Sequence, residues 1–214
     1  MATRSKETVT PIASVSLDSD ELVALARVDI ERGAFSDALL KIKQVLADPE
    51  PPAQAFALGG RLYAQLGLWQ RARPCYERYL QTNPNAVTEA FELGMVRFDS
   101  GDAVEARKIW SNLLGKQPTH PPSLFYRALA LAQENNAADA RKDLDVLLKS
   151  APPDNLYFGR GRDLLRAIDS QPATTPSASN TDSKHATHPH QGCLQTLSTL
   201  LKSSAPGSSA TASF

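Results

Sequence analysis

The chain has 214 residues, 42% apolar and 21% charged, and its 23 basic residues equal its 23 acidic ones. That balance excludes the whole-chain attraction on which binding to nucleic acid or acidic lipid runs. The two cysteines, Cys75 and Cys193, suit a reducing compartment and supply no disulfide framework. No apolar run approaches the roughly 18–20 residues that cross a bilayer, and the N-terminus lacks the continuous apolar stretch of a signal peptide. The expectation is a cytoplasmic protein without a membrane span.

Residues 1–17 are polar and read as a disordered lead. Asp18 and Glu21 have the spacing of a capping box, in which two side chains satisfy free N–H groups at a helix start. From Ser19 the chain repeats every 34 residues without a gap. The repeats begin at Ser19, Ala53, Val87 and Pro121 and span 19–52, 53–86, 87–120 and 121–154. Position 8 is small in each (Ala26, Gly60, Gly94, Ala128), as is position 20 (Ala38, Ala72, Ala106, Ala140). Two helices crossing at these points can approach closely. Position 15 holds Gly33, Gly67, Gly101 and Asn135, the residue types that tolerate the left-handed end of a first helix, A. Asp102 and Asn136 then serve as N-caps for the second helix, B. In helix B, position 24 (Ile42, Tyr76, Trp110, Leu144), position 27 (Val45, Tyr79, Leu113, Leu147) and position 28 (Leu46, Leu80, Leu114, Leu148) form one apolar face. Pro84, Pro118 and Pro152 close three of the repeats.

With Phe56, Gly60, Tyr63, Gly67, Ala72, Tyr76 and Pro84 in its best repeat, the stretch 19–152 resembles the tetratricopeptide repeat (TPR) family. The resemblance implies an all-α fold, a right-handed α-solenoid of helix-turn-helix units, over residues 18–169. Asp154 is expected to cap a terminal helix over 154–169 that covers the last apolar face. From 170 to 214 the chain is rich in Ser, Thr, Ala and Pro and reads as a disordered tail. Within it Leu194, Leu197, Leu200 and Leu201 fall on one face of a possible short helix, 193–202.

The resemblance also implies that helix A positions 2, 5, 9, 12 and 13 line a concave groove. On this chain the groove candidates are Arg27, Arg61, Phe91, Met95, Phe98, Phe125 and Leu129. Aromatic and Met side chains there suit an apolar anchor of a peptide or helix, and the arginines suit an acidic group; packing between neighbouring A helices is the other reading, for Phe98 and Leu129 above all. The two-carboxylate clamp of chaperone-binding TPR proteins is not matched: where it needs Lys, Asn, Asn, Lys and Arg, this chain has Val23, Arg27, Leu58, Thr88 and Glu92. Arg97 and Arg127 stand at positions 11 and 7, usually apolar or aromatic in the family. A carboxylate partner such as Glu92 or an outward snorkel accounts for them; a functional anion site is the alternative.

No set of residues announces a reaction. Gly59–Gly60 lies inside a helix, and Gly159–Arg160–Gly161–Arg162 lacks the spacing of a phosphate loop. His185, His188, His190 and Cys193 are ligand types with no ordered frame, and no metal or other cofactor is expected. The expected protein is a non-catalytic adaptor or chaperone-like module for a protein or peptide segment. The alternative is a self-associating scaffold subunit of a larger assembly, such as a secretion or envelope-biogenesis system.

Overall fold

A computed structural model describes residues 17–170. The sequence expectations for 1–16 and 171–214, including the 193–202 helix and the histidine cluster, lie outside the described residues. Among those described there are nine helices: α1 Ser19–Glu31, α2 Phe35–Leu46, α3 Ala53–Gln65, α4 Trp69–Thr82, α5 Val87–Asp99, α6 Ala103–Lys116, α7 Pro121–Gln133, α8 Ala137–Ser150 and α9 Leu156–Asp169. None of them is long and apolar enough to cross a membrane.

Helices α1, α3, α5 and α7 each start on the first residue of a 34-residue repeat. All four end in the same way. Gly33, Gly67, Gly101 and Asn135 have φ of 74°, 68°, 89° and 62°. The following N–H then reaches back into the helix just finished: Ala34 to the Asp29 carbonyl, Leu68 to Tyr63, Asp102 to Arg97 and Asn136 to Leu131, at 2.8–2.9 Å. This Schellman closure needs a left-handed residue, which explains a ladder of three glycines and an asparagine. Helix starts are more varied. Asp18 and Glu21 form both bonds of the capping box at 2.8 Å. Asp102 and Asn136 accept from the N–H groups of Glu105 and Asp139. Ala34 and Leu68 occupy the same place with no side-chain cap.

The described residues form two compact units, 17–96 and 97–170, that divide inside α5. In the N-terminal unit α1 packs on α2, α2 on α3 and α3 on α4. Its core is built from Leu22, Val23, Ala26, Ala38, Ile42, Val45, Ala55 and Leu62. The small residue at position 8 has a direct reason here. A Cβ on Gly60 would lie 2.9 Å from Tyr76 Cε1, so the ring at position 24 occupies the space a side chain would need. Pro74 stands inside α4, where it removes one N–H from the helical ladder.

In the C-terminal unit α6 packs on α7, α7 on α8, and α9 on both α7 and α8. The terminal helix starts at Leu156 and is capped by Asn155, whose side chain accepts from the Tyr157 N–H at 2.9 Å. This corrects the expected cap Asp154. Helix α9 sits on α8 through Gly161, where a Cβ would come within 2.7 Å of Leu147 Cδ2. Two residues earlier, a Cβ on Gly159 would meet nothing within 4 Å. The two glycines therefore predict opposite results. Gly159→Ala should stabilise the unit by about 0.5–1 kcal/mol, because it removes unfolded-chain entropy at no steric cost. Gly161→Ala should destabilise it by about 1 kcal/mol, because the buried Leu147 must shift. Urea unfolding of the two variants beside the parent checks both signs.

Candidate functional site

The groove candidates separate once the helices are in place. In the N-terminal unit Arg27 and Arg61 hold position 9 of α1 and α3, and both are exposed. Among the described residues no hydrogen bond or ion pair engages either guanidinium. In the same unit Lys41 pairs with Asp29 and Arg73 with Glu77. Phe91 and Met95, at positions 5 and 9 of α5, are half-buried. Tyr76 links these elements. Burial pushes its hydroxyl well above the usual tyrosine range. Glu92 and Glu89 on α5 add to that rise and Arg61 on α3 opposes it. Arg61 and the acidic side of α5 therefore act on the same buried ring.

In the C-terminal unit the expectation fails for two residues. Phe125 is 3% exposed and Leu129 1%. Helix α9 packs on α7 and lays the Tyr157 ring 5.7 Å from that of Phe125. Phe125 and Leu129 are core residues, and the groove surface assigned to them is corrected accordingly. Phe98 is half-buried, with its ring 5.8 Å from Trp110 and 6.5 Å from Tyr126. These rings continue through Phe125 to Tyr157 in an aromatic run across α5, α6, α7 and α9. The family's groove positions do not reveal this, because the burial depends on what α9 covers.

The two arginines out of pattern are ion-paired. Arg97 Nη1 lies 3.5 Å from Asp102 Oδ2. Arg127 holds Asp143 in a fork, with Nε to Oδ2 at 2.7 Å and Nη2 to Oδ1 at 2.6 Å, and donates from Nη1 to Ser111 Oγ at 3.0 Å. Asp143, only 6% exposed, is the residue that sequence reasoning missed. A partial signal was present: Arg127 stands at position 7, where the other repeats have Leu25, Gly59 and Leu93, but position 23 already carries a charge in the first repeat, Lys41. Lys142 donates to Asp139, and with Asn136 this holds the Asp139 carboxyl below its usual range.

On α2–α4 an open cleft of about 410 Å³ is lined by Leu46, Phe56, Tyr63, Gln70, Arg71, Pro74 and Cys75. Arg71 stands over the Tyr63 ring at 5.9 Å. Burial pushes the Cys75 thiol up from 9.0 to about 11. Its thiolate fraction near pH 8 is then about a hundredfold lower than that of an ordinary cysteine. Iodoacetamide labelling of Cys75, read by peptide mass, should accelerate by about that factor in 8 M urea. Equal rates in the native and unfolded chain would contradict the burial. No group of three or more His, Cys, Asp or Glu side chains among the described residues is arranged to hold a metal ion.

Comparison with known proteins agrees with this geometry. A family model described as tetratricopeptide repeat matches residues 23–87 and 91–155. Several solved structures share the fold. The crystal structure of YrrB, "a TPR protein with an unusual peptide-binding site", superposes with a TM-score of 0.62 at 18% identity, over 68% of this chain and 74% of that one. A tetratricopeptide repeat protein from Parabacteroides merdae gives 0.61 at 21% identity, over 71% and 60%. MamA of AMB-1 gives 0.59 at 20% identity, over 63% and 79%. A stretch of 79 residues is 32% identical to the "Probable biofilm formation methyltransferase WspC" of Pseudomonas putida. That match takes in 37% of this chain and spans about a fifth (19%) of the relative's length.

Proposed function

We propose, from the premise that this chain belongs to the tetratricopeptide repeat family, that it is a non-catalytic binding module. It takes a segment of another protein on the α1–α3–α5 side of its N-terminal unit. Proteins of this family generally act as protein-binding modules, and the peptide-binding site of the structurally similar YrrB supports the reading. The observation that carries it is the pair Arg27 and Arg61. They are exposed at the same position of successive A helices, with no hydrogen-bonding or ion-pair partner among the described residues. In the same unit the half-buried Phe91 and Met95 offer apolar contact. A guanidinium fork suits a carboxylate, and a Met beside an aromatic ring suits an aliphatic or aromatic anchor. The expected occupant is a peptide or helix that carries an acidic residue next to apolar ones. The stretch shared with one part of a longer protein fits such repeats serving as an accessory part.

The test is charge reversal on the surface. Arg27→Glu with Arg61→Glu leaves the core untouched. Affinity capture with the full chain should lose its partner, and binding of that partner should weaken at least about a hundredfold, since charged hydrogen bonds contribute about 1.5–3 kcal/mol each. Circular dichroism of the variant should equal the parent. Capture of the same proteins by both chains would refute the assignment.

A second reading, a self-associating scaffold subunit, is favoured by α1. Its Leu25 and Val28 are 40% and 37% exposed. Their counterparts at positions 7 and 10 of α3, Gly59 and Leu62, are buried against α2. Sedimentation at high concentration separates the readings: a monomer throughout removes the scaffold.

A further inference from the structure

Helix α9 is an A-type helix whose B helix is missing from the described residues. Counted from Asn155, its Tyr157, Gly161, Leu164 and Ile168 hold positions 3, 7, 10 and 14. Of these Gly161 is seated on Leu144 and Leu147 of α8, and Leu164 and Ile168 are buried. Its other side carries Phe158 and Leu165, at positions 4 and 11. In the preceding repeat Leu124 and Leu131 hold those positions and are 2% and 7% exposed; in α3 they are the half-buried Phe56 and the buried Tyr63, whereas in α9 both Phe158 and Leu165 are half-buried. An apolar stripe of the kind that receives a second helix is therefore incompletely covered.

The chain contains a segment with the matching pattern. With Cys193 set at position 20, Leu197, Leu200 and Leu201 fall at positions 24, 27 and 28, and Pro206 stands one residue past the usual closing proline. Position 20 is small in all four repeats, and position 24 is large, apolar and at most 2% exposed in all four. No second set of these spacings is left over in the tail. Residues 171–192 separate this segment from the end of α9. A random-coil chain of that length has a root-mean-square reach on the order of 25 Å, comparable to the roughly 21 Å length of α9 itself. The effective concentration is then in the millimolar range, enough to hold a short amphipathic helix that is marginal alone.

We propose that residues 193–201 dock on the Phe158–Leu165 side of α9 as the second helix of a fifth, split repeat. The occupant is this chain's own segment. Its leucines meet the half-buried Phe158 and Leu165, and the small Cys193 lies at the crossing. One residue departs from the pattern: Arg162 stands at position 8, which is Ala or Gly in the four repeats. Its stem lies aside at the crossing with its head in water, and this makes the docked state weaker than a regular repeat.

The test uses the full chain and the native thiol as the probe. Alkylation of Cys193 by iodoacetamide, read by peptide mass, is expected to be about tenfold slower in the native chain than in 8 M urea. The protection should be the same at low and high protein concentration. Phe158→Ser with Leu165→Ser should abolish it, while labelling of Cys75 stays slow and so shows that the fold persists. Leu197→Ser with Leu201→Ser, in the tail itself, should do the same without touching any described helix. Arg162→Ala should deepen the protection. A Cys193 that reacts at its unfolded rate overturns the proposal. So does protection that survives both Ser pairs, or protection that grows with concentration, which would place the segment on another copy, at the open side of α1.

Discussion

Asp143→Ala is expected to destabilise the C-terminal unit by about 3 kcal/mol, near the lower end of what breaking a buried ion pair costs. Asp143 is 9% exposed at its side chain and Arg127 24%. Removing the carboxylate leaves a guanidinium with its two shortest bonds, 2.6 and 2.7 Å, unmade in a partly buried site. The cost arises from the stranded charge and not from any large net gain of the pair. The double variant distinguishes these. Arg127→Leu with Asp143→Ile installs the residue types that positions 7 and 23 carry in the preceding repeat, Leu93 and Ile109. It should return stability to within about 1 kcal/mol of the parent, because well-packed apolar replacements of buried pairs are commonly neutral. A double-mutant cycle from urea unfolding reads the coupling. A double variant as unstable as Asp143→Ala would show that the pair is a net stabiliser.

Trp110→Ala is expected to lower stability by about 3–5 kcal/mol, the range for removing a large aromatic from a closed core. Trp110 is fully buried, with its ring 5.9 Å from Tyr126 and 5.8 Å from Phe98. It fills position 24 of α6, the same place Tyr76 fills against Gly60 in α4. Loss of the indole leaves a cavity and breaks the aromatic run that continues through Phe125 to Tyr157. The α9 contacts should loosen with it, so amides of 157–168 should exchange faster than those of α2. Trp110→Phe keeps a ring at the site and should cost about half as much. If Trp110→Ala unfolds at the parent's urea midpoint, the packing described for α6, α7 and α9 is wrong.

The groove candidates show how far sequence reaches. Arg27 and Arg61 keep the exposure that their position implies, because nothing among the described residues covers them. Phe125 and Leu129 do not: both are buried, and the terminal helix that the same sequence supplies lies on α7 with the Tyr157 ring against Phe125. The position in the repeat says which way a side chain points, whereas its exposure depends on the neighbour it meets. That neighbour is set by packing across roughly thirty residues of chain. Asp143 makes the same point for charge. An acidic residue beside an apolar face reads as solvated until the guanidinium of Arg127, one helix away, is placed against it.

The sequence by itself determined the period, the phase and the turns. Gly33, Gly67, Gly101 and Asn135 are local necessities, since each closes a helix in a left-handed conformation that few residues adopt. The small positions 8 and 20 and the large position 24 are likewise legible, because a close helix crossing favours a small residue opposite a large one. The tertiary structure alone decided which groove residues remain in reach of a partner, and it paired Arg127 with Asp143. Both are consequences of burial and distance between helices far apart in the chain, and a one-dimensional pattern carries no measure of either.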